Sequence, residues 1–143
     1  MAYAVYADLS SRMPEQTLIA LTDEQGIGVG NEEVAAAAIA DADAEIDAMI
    51  GARYAVPLSP VPDLLKKVSL DLAVEGLYAR RHDVETPDAV VRAAKAARSL
   101  LLSISRRDAS LPGLPEATPA NTSGAETSAG TRLFSRDSLR DLL

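Results

Sequence analysis

The chain has 143 residues, a net charge of −7, 48% hydrophobic residues and only 3% aromatics, so its single domain needs a core of Leu, Val, Ile and Ala, which favours packed helices over an aromatic-rich sheet. The absence of cysteine excludes disulfides, thiolate metal sites and thiol catalysis, and the acidity argues against tight general binding of nucleic acid. No basic-then-apolar leader and no apolar run near about 18 residues point to export or a membrane span.

In chain order, Asp8 can cap a short helix over "LSSRM" (residues 9–13), and Pro14 can begin a second over "PEQTLIALT". Gly26, Gly28 and Gly30 then break regular structure in "TDEQGIGVGN". Asn31 caps a long helix with Glu32 and Glu33 favourably placed in its first turn. Its apolar stripe runs through Val34, Ala35, Ala38, Ile39, Ala42, Ile46, Met49 and Ile50 to Gly51, with Asp43 and Asp47 along one side and Asp41 and Glu45 along the other.

"RYAVPLSPVP" reads as an extended connection, because residues before proline avoid helical angles. Pro62 begins a helix to about Arg81 that is apolar on two sides, through Leu65, Val68, Leu72 and Ala79 and through Leu70, Val74 and Leu77, as expected of a central helix. Gly76 in its interior suggests close approach of a neighbour. Thr86, Pro87 and Asp88 supply cap, first position and dipole partner for a last long helix. Val90, Ala94, Ala97, Leu101 and Ile104 form its buried stripe, and Arg92, Lys95, Ser99 and Arg106 face away.

From Asp108 to Gly130 the chain is rich in Pro, Gly, Ser, Thr and Ala without periodicity, which reads as a flexible linker. The closing "TRLFSRDSLRDLL" is different. Ser135 suits an N-cap, Phe134 and Leu139 have the spacing of a hydrophobic staple, and Leu139, Leu142 and Leu143 share one face. A helix of about eight residues is too short to stand alone in water, so it must fold back on its own domain or dock on a partner or a neighbouring copy. The expected architecture is all-α: two short and three longer helices over residues 1–107, a linker over 108–130 and a docking segment over 131–143.

Little here suggests catalysis. His82, the single histidine, falls at a helix end and reads as a dipole partner. Asp43 and Asp47 face each other one turn apart and could clasp a cation, although a solvated or interface face is the plainer reading. "GIGVGN" misses the dinucleotide fingerprint, with Asn31 where the third glycine belongs. Read as a calcium loop, Asp23 takes position 1, Gly28 position 6 and Asn31 position 9, but Gln25, Ile27 and Val34 stand where oxygen ligands belong. Asp23 and Asn31 are thus weak metal candidates, and no cofactor is expected.

Charge is unevenly distributed. Residues 1–50 hold ten acids and one base, a net of −9; residues 51–107 hold six acids and ten bases, a net of +4; residues 108–143 are at −2. Such polarity can close within one fold or let copies meet head to tail, acidic face on basic face, in rings or filaments.

"LTDEQGIGVGNEEV", "ADADAEIDAMIGARYAVPLSPVPDLLKK" and the closing "FSRDSL" together resemble the small head–tail connector (adaptor) proteins of Mu-like phages and prophages. The similarity is good over residues 1 to about 82, looser in the following helix, and confined to the short motif in the tail. The family's "TDxDGDG" style is broken here at Gln25 and Ile27. The resemblance implies a non-enzymatic virion protein of the neck, found in the host cytoplasm before assembly. It would form a ring, dodecameric by analogy, beneath the portal protein, extending the channel for genomic DNA without binding it specifically and offering a platform to a stopper or tail-terminator protein. Stopper or tail-completion protein is the neighbouring alternative; a calcium-responsive helical module and an acidic DNA mimic are rivals from other classes.

On this reading Leu133, Phe134, Arg136, Leu139, Arg140, Leu142 and Leu143 would contact the portal or a neighbouring subunit. Asp41, Asp43, Glu45 and Asp47 would line the channel, or meet Arg92, Lys95 and Arg98 of the next subunit.

Overall fold

The computed structural model describes residues 2–117. It contains five α-helices: α1 Tyr6–Arg12, α2 Glu15–Thr22, α3 Glu32–Ile50, α4 Asp63–Arg80 and α5 Asp88–Ser105. No strand occurs among the described residues.

The helix starts follow from local chemistry. Asn31 Oδ1 accepts from the Glu33 and Val34 N–H groups (2.9 and 3.3 Å), which caps α3. Pro14, Pro62 and Pro87 each sit at an N-cap, with φ of −56°, −66° and −61° and ψ near 140°. Their carbonyls accept the first helical amides, as Pro62 does from Leu65 and Lys66 at 3.0 and 3.1 Å. Proline fixes φ but not ψ, and the extended ψ starts each helix one residue later than the sequence suggests, so Thr86 is not the cap of α5. Helix α1 begins at Tyr6 rather than beyond Asp8. Asp8 lies in its first turn and reaches back to accept from the Val5 N–H at 3.0 Å.

Helix α4 is central and touches the other four. Both expected apolar sides are covered, with Leu65, Val68 and Leu72 buried on one and Leu70, Val74 and Leu77 on the other. Ala79 is exposed, and a side chain at Gly76 would meet nothing within 4 Å, so that glycine admits no close neighbour in the bundle. Helices α3 and α5 pack on α4 and on each other, while α1 and α2 pack on α3 and α4.

The connection from α3 to α4 buries Arg53, Tyr54 and Leu58. Residues 108–117, which follow the expected boundary at residue 107, return to the bundle. Leu111 is 3% exposed, its N–H donates to Tyr54 Oη (3.1 Å), and the Ala117 N–H donates to the Arg53 carbonyl (2.8 Å). A loop can pack through single side chains without any period, which composition does not register.

Candidate functional site

The four acids of α3 expected at the channel or at a subunit interface have four different environments. Asp41 is exposed. Asp43 is 8% exposed, and its carboxylate accepts from the Tyr3 N–H (2.9 Å) and the Ser69 hydroxyl (2.6 Å). Within the chain it fastens the N-terminal residues and α4 to α3. A carboxylate on the edge of an apolar stripe turns inward when a donor on the next helix compensates its desolvation. Asp47 accepts from the Tyr3 hydroxyl, to which the Leu58 N–H donates at 3.2 Å. Burial and the Asp47 bond push Tyr3 up to about 12. Asp43 and Asp47 thus hold Tyr3 between them.

Glu45 meets Arg98 inside one chain. The Arg98 guanidinium spans Glu45 of α3 (2.6 Å) and Glu75 of α4 (2.7 Å), tying α5 to both helices within one chain. These hydrogen bonds hold Arg98 well above the ordinary arginine value. Beside it, Ala38, Ala42, Gly76 and Ala79 line a hollow of about 420 Å³. Arg92 and Lys95 stand exposed on the outer face of α5, with no ion pair among the described residues.

The glycine loop is organised around one carboxylate. Asp23 accepts from the N–H groups of Gln25 (3.1 Å), Gly26 (2.8 Å), Ile27 (3.2 Å) and Gly28 (2.6 Å), the last doing most to hold its pKa below the ordinary range. Gly26 and Gly28 supply this turn with φ of +71° and +78°. Arg81 donates to the Asp23 carbonyl, and Arg80 pairs with Glu24. Asn31, the other metal candidate, spends its side-chain oxygen on the α3 cap. Among the described residues no group of three His, Cys, Asp or Glu side chains is placed to hold a metal.

The feature missed in the sequence is a clasp at the other end of the bundle. Arg53 is 6% exposed, lies over the Tyr54 ring (5.2 Å), and donates to the carbonyls of Ile104 (2.6 Å) and Ala109 and to Glu116. Glu116, so paired, is held below the ordinary carboxylate value. The clasp holds residues 109–116 against the ends of α3 and α5. Its one sequence signal is an arginine inside the otherwise apolar "GARYAVPL". The expected contact residues Leu133, Phe134, Arg136, Leu139, Arg140, Leu142 and Leu143 lie outside the described residues.

The family described as Bacteriophage Mu, Gp36 matches residues 3–129, which takes in the glycine loop, all five helices and the clasp. The chain belongs to that family. Gene product J of Escherichia phage Mu is 41% identical over 68 residues, 47% of this chain and 48% of that protein, so the match spans about half the length of the relative. Membership of the Bacteriophage Mu, Gp36 family makes this a Mu-like phage protein. No helix among the described residues is long and apolar enough to cross a membrane.

Proposed function

We propose that this protein is a head–tail connector (adaptor) that forms a ring beneath the portal protein, extends the DNA channel and presents a platform for the stopper or tail terminator. The observation that carries this reading is the opposite charge of two outer faces of one bundle. Glu32, Glu33 and Asp41 are exposed on α3, and Arg92, Lys95 and Arg106 on α5 or at its end. Copies that meet head to tail through such faces close into a ring when the rotation per copy divides a full turn. Genomic DNA passes through that ring without specific contacts. The buried and paired states of Asp43, Glu45 and Asp47 leave Asp41 as the carboxylate among the four that is free to face a neighbour or the lumen. The segment from Leu133 to Leu143 is the anchor on the portal, tethered to the clasp so that a second contact forms at raised effective concentration.

The test is sedimentation with the phage's own portal ring, comparing the full chain with one ending at Ala117, a truncation that spares the clasp. The expected result is that the full chain travels with the portal and the truncated chain is weakened or lost. Ring formation should weaken with salt and with Arg92→Glu and Lys95→Glu, and recover when Glu33→Lys and Asp41→Lys are added on the complementary face. Failure of both forms to bind the portal overturns the connector reading.

A further inference from the structure

The glycine loop is a rigid mount for two apolar side chains. Ile27 and Val29 are 69% and 66% exposed, more than any other large hydrophobic residue among those described. Four amide bonds to Asp23 fix the turn that carries them, and the Asn31 N–H donates to Thr22 Oγ1 at 3.1 Å. Arg80 and Arg81 at the end of α4 hold Glu24 and the Asp23 carbonyl, so the loop is fixed to its own end of the bundle. Apolar groups displayed on an ordered turn lose little further freedom when they are covered, which favours association. Glu32 and Glu33 stand exposed beside them and make no ion pair among the described residues.

A matching surface lies on α5. At about 100° per residue, Val91, Arg92, Lys95, Ser99, Leu102 and Arg106 fall within an arc of about 100°, and all six are exposed. Val91 is 44% exposed and Leu102 41%, and they lie about 16 Å apart along the helix. From Val91 onwards the arc holds no acid, and Arg92, Lys95 and Arg106 make no ion pair among the described residues. An apolar pair flanked by acids thus has its complement in an apolar pair flanked by bases.

We infer that the glycine loop of one copy docks on this outer face of α5 of a second copy. Ile27 and Val29 sit between Val91 and Leu102, and Glu32 and Glu33 stand opposite Arg92 and Lys95. Charge selects a second copy as the occupant, because each chain carries both halves of the match and its own loop is held elsewhere. The two surfaces differ, so every copy uses each of them once and the contact passes from copy to copy. The inference rests on the ring reading above and names the segments that make its contact.

The test uses the absence of native cysteine. Full-length copies carrying Gln25→Cys are mixed with copies carrying Ser99→Cys, alone and on the phage's own portal ring, and disulfide-linked dimers are resolved by mass. The expected result is that mixed dimers form at least about tenfold faster than either homodimer, and more slowly as salt rises. Adding Ile27→Ser and Val29→Ser to the loop copies should remove that preference with Tm unchanged, since both side chains face solvent within the chain. Homodimers that form as fast as mixed dimers in both settings would overturn the inference, as would a mixed-dimer rate untouched by the two serines. Portal binding by the native chain without preferred mixed dimers would sink this interface and leave the connector reading standing. Preferred mixed dimers from a chain that ignores the portal would do the reverse.

Discussion

Arg53, just beyond the end of α3, closes on Glu116, sixty-three residues later, and in the same grip takes the carbonyls of Ile104 and Ala109. A buried guanidinium with its donors spent in this way is stabilising only while all its acceptors remain in place. Arg53→Ala should therefore release residues 108–117 and lower Tm by several degrees, with the Leu111 and Ala117 amides losing hydrogen-exchange protection ahead of the α3 and α4 amides. Because Arg53 lowers the Glu116 pKa, the clasp's contribution is present above the ordinary glutamate value and is lost as pH falls through the depressed one. Protection at Leu111 that survived Arg53→Ala would refute the clasp.

Asp43 and Asp41 are two residues apart and should behave oppositely. Asp43→Ala leaves the Tyr3 N–H and the Ser69 hydroxyl without their acceptor in a buried site, at a cost of about 2–4 kcal/mol. Asp41→Ala should change stability by less than about 0.5 kcal/mol. Urea midpoints of the two variants decide this, and equal shifts would contradict the inward orientation of Asp43.

Tyr3 ties stability to high pH. Its phenol is raised from 10.0 to about 12, so the neutral form is favoured by the fold. That contribution is fully present below pH 10.0 and is lost as pH rises towards 12. Denaturation midpoints of the native chain should fall across this window more steeply than those of Tyr3→Phe, which lacks the titrating group. Parallel curves would show that the Tyr3–Asp47 contact carries no such linkage.

The glycine loop should behave as a self-contained turn. Placing a side chain at Gly28, where φ is +78° and nothing stands within 4 Å, costs backbone strain alone, so Gly28→Ala should destabilise by about 1–2 kcal/mol. Asp23→Ala removes the acceptor shared by four amides and should raise hydrogen exchange at residues 25–28 without unfolding α3. With the Asp23 and Asn31 oxygens committed to backbone amides, millimolar calcium should leave Tm unchanged. A calcium-dependent rise in Tm that Asp23→Ala abolished would restore the ion-loop reading.

Much of this protein is decided locally and can be read from its sequence. Asn31, the three proline caps and the apolar stripes mark where helices begin and which sides they bury, because capping and periodicity involve residues within a few positions of one another. The doubly apolar face of α4 likewise announces its central place. The fates of the charged groups follow a different rule. Asp43, on the edge of the α3 stripe, reads as solvated until Ser69 of α4 is known to stand beside it. Glu45 and Arg98 read as partners between subunits until α3 and α5 are brought side by side. Arg53 is unremarkable in a string and becomes a clasp only where the ends of α3 and α5 and the returning residues 109–116 meet. The helices and their buried sides follow from interactions that span one or two turns. Which charges are spent inside the bundle follows from the packing of distant segments, because a buried charge takes its partners from segments that sequence distance does not relate.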